Sequence, residues 1–369
     1  MAFANFLKKY NLPMVLSLSL LPLVSVVGLP LYIYYNGIVW QEPIMFLLLW
    51  FLAGTGITIG YHRLFAHKSF RTYPFIEWIA MLCGSMALQN SITKWCSDHR
   101  RHHRKLDTAE DPYSITEGFF HAHIGWILKN SDYIIENVSD LQKKSAVRFQ
   151  DNHYWKISLF LSFALPVLIG FIYGRPLGGL LWGGILRVTM VHHFTFFINS
   201  FCHYMGKKNY DLSTSAKDSW FMALLTFGEG YHNYHHKFEW DYRNGIKWYN
   251  FDPSKWIIKF LSIFKLTHSL RKASDYNIFK AKIETLYEKI ESMSLDIGAQ
   301  EYKAKISKIM DRAVSNLSIL KNLESRYRML EKKDSIRKDC RKEIKIYKIE
   351  IQKSLSALMA IFVNMKSAV

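Results

Sequence analysis

The sequence has 369 residues, 50% of them hydrophobic, with 15 histidines, 11 tryptophans and a formal net charge of +18. Apolar and basic excess seldom rise together in a soluble domain; here long uncharged runs fill the N-terminal part while Lys and Arg crowd the segments between and after them, as in a membrane protein with a basic cytosolic face. Nucleic-acid binding has no recognition motif behind it, and the four cysteines, Cys83, Cys96, Cys202 and Cys340, form no CxxC pair that would point to a zinc ribbon or a disulfide framework.

Lys8 and Lys9 precede an apolar run over 13–35. The run is long for the apolar part of a signal peptide and no small-x-small cleavage site follows, so it reads as a first transmembrane helix entered from the positive, cytosolic side. The next run, 43–60, follows a loop without Lys or Arg and leads into the basic segment 62–105, so the chain goes out and returns. Residues 75–95 are apolar but interrupted by Glu77, Gln89, Asn90 and Lys94, which suits a helix at the membrane interface better than a span. After a polar stretch to Asp151, runs over 155–173 and 177–201 are separated only by Gly174-Arg175-Pro176 and form a tight hairpin.

From about Lys280, Ile283, Leu286, Ile290 and Met293, then Ile306, Ala313, Leu317, Leu320, Tyr327 and Leu330, recur at threes and fours among many Lys and Glu. This pattern predicts amphipathic helices, as a hairpin or coiled coil broken near Gly298 and Asp334. The expected fold is all-α and integral to the membrane. Residues 1–279 carry four transmembrane helices and a cytosolic helical cap, with both termini inside, and 280–369 form a basic amphipathic extension.

This topology gathers the histidines. His62 sits at the cytosolic exit of the second span and His203 at that of the fourth, while His99-Arg100-Arg101-His102-His103 and His232-Asn233-Tyr234-His235-His236 repeat the spacing HxxHH in cytosolic segments. At 100° per residue the second and third histidines of HxxHH lie about 60° to one side and 40° to the other side of the first, so one block can feed two metal ions. His62 and His67, five apart, would diverge by about 140° on a continuous α-helix, so the helix is expected to end between them. Asn199 and His203 are four apart and share a face.

Nine imidazoles without an obvious carboxylate ligand exclude the two-His-one-carboxylate iron oxygenases and argue against carboxylate-bridged di-iron bundles. Nine ligands are too many for one ion, so two ions with four or five nitrogens each is the economical count; imidazole suits iron, zinc, copper and nickel alike, which leaves the metal open.

His62-Arg63-Leu64-Phe65-Ala66-His67, Trp95-Cys96-Ser97-Asp98-His99-Arg100-Arg101-His102-His103, Asn199-Ser200-Phe201-Cys202-His203 and Glu229-Gly230-Tyr231-His232-Asn233-Tyr234-His235-His236 resemble the four signature blocks of the membrane acyl-CoA delta-9 (stearoyl-CoA type) fatty acid desaturases. With Gly125-Trp126, the resemblance covers roughly residues 13–277. It implies an enzyme with two irons that uses O₂ and two electrons to remove two hydrogens from a saturated acyl chain, leaving a cis double bond and water. One iron would be held by His62, His67, His99, His103 and His235, the other by His102, His203, His232 and His236 with Asn199 through water. The implied partners are a saturated fatty acyl-CoA, membrane lipid and an external electron donor, a ferredoxin or small haem protein with its reductase. No haem-binding HPGG segment, flavin or Rossmann fingerprint is visible in this chain.

The chain departs from that pattern at Ser97, where the animal enzymes commonly have Arg, and at Lys129-Asn130, where they have Arg-Lys. Both positions are associated with CoA, so an acyl-lipid or acyl-carrier-protein substrate, or hydroxylation by the same metals, is the nearest alternative; a non-catalytic membrane metal-binding scaffold is the alternative from another class. Asp98 and Glu229 adjoin ligands and are candidates to orient imidazoles. Asn90, Trp95 and Lys129 are candidate substrate contacts. Trp50 and Gly54 lie about 18 and 12 Å back along the second span from His62, where the methyl end of a bound chain would stop. His192 and His193 fall outside the ligand pattern and read as packing residues; His121, His123, His153 and His268 read as surface or supporting ones.

Overall fold

Asn11, whose side chain accepts from Met14 N, and Pro13 start the first helix, α1 (Leu12–Asn36), in the computed structural model, which describes residues 9–130, 134–294, 300–331 and 335–367. It is followed by α2 (Gln41–Ala66), α3 (Pro74–Ser85), α4 (Ile92–Lys105), α5 (Ser145–Ile172) and α6 (176–204). Shorter helices in this part include α7 (Trp220–Leu225), α8 (His232–Lys237) and α9 (Pro253–Ile263). Among the described residues the one sheet is a two-stranded antiparallel pair, Arg71–Thr72 with Thr267–His268.

Among the described residues α1, α2 and α5 are long and apolar enough to cross a membrane. Helix α6, expected as the fourth span, has the length, but Arg187, His192 and His193 interrupt its apolar run and it falls outside those three. The buried Arg187 guanidinium is satisfied internally, donating to the carbonyls of Gly183, Ser162 and Met86. Helix α3, at 12 residues, is shorter than a hydrocarbon core.

Helix α5 kinks at His153 (φ -126, ψ 15), next to the expected start of the span at 155, and the helical turns before the kink bury one face, Ala146, Val147 and Gln150. Buried Gln150 accepts from Ile92 N (2.8 Å) and donates to Tyr61 Oη (2.5 Å) and Ser85 Oγ (2.6 Å), tying α5 to α2, α3 and α4. At the other end of the spans Arg175 donates to Asn36 O, Gly37 O, Tyr32 Oη and Glu42 Oε1 (2.8–3.0 Å) and joins the two hairpin turns. The core between these helices includes Met45, Leu49, Ala53, Ile57, Phe65, Met81, Ile92 and Val191.

The chain forms two compact units, Met1–Lys207 with Thr214–Lys272, and Lys208–Ser213 with Ala273–Val369. In the second, α10 (Asp275–Ser294), α11 (Gln300–Met329) and α12 (Ser335–Ser367) close over Ile283, Leu286, Ile290, Ala313, Leu317, Leu320, Ile351, Leu355 and Leu358. The expected breaks at Gly298 and Asp334, like Lys8, lie outside the described residues.

Candidate metal centre

Helix α2 ends between His62 and His67, as expected: its last residue is Ala66 and His67 caps it. Its last eleven residues, Gly56–Ala66, are π-wound, and His67 N donates to His62 O at 3.0 Å, five residues back. That bond places roughly one full turn between the two histidines, so the divergence expected of an α-helix vanishes; their ring centroids are 4.7 Å apart. Helix α4 carries His99, His102 and His103, the last turn of α6 carries His203, and the six-residue α8 carries His232, His235 and His236.

The nine rings converge in two groups. His62, His67, His99, His103 and His235 form one and His102, His203, His232 and His236 the other, and within each the candidate ligand nitrogens all lie within 4.8 Å of one another. In the first, Nε2–Nε2 separations are 3.0 Å for His62–His235, 2.8 Å for His67–His99 and 3.0 Å for His103–His235. In the second they are 2.9 Å for His203–His232 and 3.0 Å for His232–His236. Two nitrogens about 2.1 Å from a common ion and at right angles to each other stand about 3.0 Å apart, against about 3.4 Å at a tetrahedral angle. The spacing therefore fits an ion with more than four ligands better than a closed tetrahedral site.

The outward-facing nitrogens fix which atom points inward. His62 Nδ1 lies 2.9 Å from Glu229 Oε2, His103 Nδ1 3.1 Å from Glu239 Oε2, and His102 Nδ1 2.8 Å from Asp111 Oδ1. His203 Nδ1 is 2.6 Å from Ser215 Oγ, which itself donates to Asp107, and His99 Nδ1 is 3.3 Å from Tyr113 Oη. With the proton on Nδ1, each Nε2 presents a lone pair to its neighbours, an arrangement that repels unless a cation lies between. His102 Nε2, buried and without a hydrogen-bond partner, shows this most plainly. Burial pushes the imidazoles of His67, His99, His102, His232, His235 and His236 well below their ordinary pKa, and neighbouring imidazoles push the same way. Neutral rings are the ligand form.

Sequence reasoning missed Asp111, Glu239, Ser215 and Tyr113, since no spacing rule links them to the histidines. Glu229 does reach an imidazole; burial alone would raise its pKa, but His62 and Arg63 hold it below the usual range, and Arg63 Nη2 (3.0 Å) and Asn244 Nδ2 (2.7 Å) donate to it. Asp98 does not. Its carboxylate is taken by Lys94 Nζ (2.6 Å) and Arg101 Nη2 (3.0 Å), four residues before and three after it on α4.

A cavity of about 470 Å³ runs beside the groups, touching His62, His99 and His232 and lined mainly by apolar side chains. Trp50, Gly54, Asn90, Trp95 and Asn199 all line it, with Trp95 stacked on His99 at 4.8 Å. Lys129 lies outside this lining; its ammonium is near Glu117 Oε2 (3.3 Å) and His121 Nδ1 (3.4 Å).

The family model described as fatty acid desaturase matches residues 42–259. The chain belongs to the fatty acid desaturase family. The match contains all nine histidines of the two groups and ends before Ala273, where the larger segment of the second unit begins. Among individual desaturases, the chain is 38% identical over 268 residues to a probable acyl-CoA desaturase of Schizosaccharomyces pombe, covering 72% of this chain and 55% of that one. It is 36% identical over 291 residues to acyl-CoA desaturase 1 of Saccharomyces cerevisiae, covering 76% and 57%. An sn-1 stearoyl-lipid 9-desaturase of Synechocystis is 35% identical over 230 residues, covering 61% of this chain and 70% of that one. The chain thus spans a little over half the length of the two yeast relatives it matches.

Proposed function

We propose that this protein is an integral-membrane, O₂-dependent fatty acyl desaturase with two irons, introducing a cis double bond at the ninth carbon of a saturated acyl-CoA. The observation that carries this reading is the contact between the two imidazole groups and an apolar cavity: His62, His99 and His232 belong both to the nitrogen clusters and to the cavity wall. An alkyl chain lying there would have a methylene pair beside the metals and no polar group to bind elsewhere. Bound by the five- and four-histidine sets, with Asn199 through water, the irons would supply activation of O₂. The reaction balances as one alkyl CH₂–CH₂ unit, O₂, two electrons and two protons giving CH=CH and two waters.

The protein's own contribution is positioning. Glu229, Glu239, Asp111 and Ser215 hold the imidazoles in the tautomer that faces inward, Trp95 packs on His99, and the apolar wall excludes water from the oxidation. The electrons come from outside, from a ferredoxin or small haem protein whose acidic surface suits the excess of Lys and Arg. We read α6 as a fourth span beside the three helices of sufficient apolarity, with both termini and the metal groups on the cytosolic side, and the basic helical unit as an addition to the desaturase domain.

A lipid-linked chain is the second reading. It is favoured by Lys129, which lies outside the cavity lining and is paired with Glu117, and by the Synechocystis relative, named for a stearoyl lipid. Expression in a host unable to make monounsaturated fatty acids, with the double bond mapped by mass spectrometry in the CoA and lipid fractions, tests both. A ninth-carbon bond appearing first in acyl-CoA supports the primary reading, and one appearing first in intact lipid supports the second.

A further inference from the structure

Gly54 on α2 does not open onto empty space. A Cβ built there would stand 2.0 Å from Cε2 of Phe227, so the absence of a side chain is what admits that ring against the helix. Phe227 is buried, with its ring centroid 4.8 Å from Trp50 and 5.8 Å from Phe51, and it lines the same cavity as Trp50, Gly54 and Phe194. Its backbone has φ 53, a conformation that a bulky L-residue adopts only where its surroundings impose it. The imposing contacts are visible: Gly228 N donates to Ala223 O (2.9 Å), Ser254 Oγ donates to Phe227 O (3.2 Å), and Ser254 Oγ is bonded in turn to Thr58 of α2 (2.6 Å). The ring is thus held in place from a loop, with α9 and α2 bracing it. Gly54 lies eight residues before His62 on the same helix, on the order of 10 Å along its axis, so the part of an acyl chain that reaches it is the distal part, well beyond the metal groups.

We propose that Phe227 is a specificity-determining residue whose ring, seated on Gly54, sets how far the methyl end of the acyl chain extends past the metals. The inference rests on the desaturase reading for the identity of the occupant. A stopper on a loop differs from one on a rigid span: trimming Phe227 enlarges the cavity without changing α2, whereas adding a methyl at Gly54 drives the ring off its seat. The two positions therefore form a coupled pair, and a second substitution at Phe227 compensates one at Gly54.

The test supplies the full-length membrane protein with an equimolar series of saturated acyl-CoAs of increasing length and reads two quantities. One is the distribution of unsaturated products; the other, without turnover, is the longest chain that raises the thermal midpoint. Phe227→Leu and Phe227→Ala shift both toward longer chains, by roughly tenfold or more in the product ratio between substrates two carbons apart. Gly54→Ala shifts both toward shorter ones, and Gly54→Ala with Phe227→Leu returns them toward wild type. A structural role alone would lower yield equally at all lengths, and unchanged length dependence in Phe227→Leu overturns the proposal. Absence of any product from the wild type contradicts the desaturase reading instead, and the length dependence of stabilisation still decides the role of Phe227.

Discussion

An imidazole gives its Nε2 lone pair to an ion only when its proton sits on Nδ1, and at His102 that choice rests with Asp111 at 2.8 Å. Asp111→Asn keeps the shape and one acceptor oxygen but removes the carboxylate charge. Its expected effect is a 10- to 100-fold loss of metal affinity, roughly, with the fold intact, read by metal titration of the purified protein. Asp98→Asn is expected to leave that affinity unchanged, since Asp98 serves Lys94 and Arg101; equal losses in both variants would contradict this assignment. The contrast also shows what a sequence carries at this scale. Asp98 and Glu229 both adjoin histidines, yet neighbours on α4 point about 100° apart and cannot share a target, whereas Glu229 precedes its helix and turns back to His62. Spacing brought the nine imidazoles into view. Asp111, Glu239 and Ser215 reach them through loops whose course no local pattern encodes.

Among the helices, the decisive feature is the winding of α2. Apolar runs announced the helices, but kinks and pitch depend on packing: buried Gln150 anchors the turns of α5 before its kink at His153, and the π-wound stretch of α2 brings His62 and His67 together. That stretch begins where α2 meets α3 almost backbone to backbone, since a Cβ at Gly56 would lie 2.3 Å from Cys83 C and Gly84 N. Gly56→Ala is therefore expected to destabilise the protein by about 1–3 kcal/mol through overpacking. It should also reduce metal content, because the clash forces α2 and α3 apart and α2 carries His62. A thermal midpoint and metal stoichiometry equal to wild type would show that the close approach is not required.

At the scale of the molecule, the helical unit formed by Lys208–Ser213 and Ala273–Val369 has its own apolar core, and the family match ends at residue 259. Both facts support a desaturase domain that binds its metals without that unit. A chain ending at Lys272 is expected to keep the wild-type metal stoichiometry, measured by elemental analysis of the purified membrane protein. Loss of metal with the chain still inserted would mean that the second unit completes the site. The central claim, that two histidine-held irons desaturate an acyl chain, is tested most directly by product analysis of the full chain in a host lacking monounsaturated fatty acids. Wild type is expected to bind two irons and yield a cis ninth-carbon double bond, while His99→Ala and His236→Ala, one from each group, yield none and remain in the membrane. Unsaturated product surviving in both variants would contradict the account.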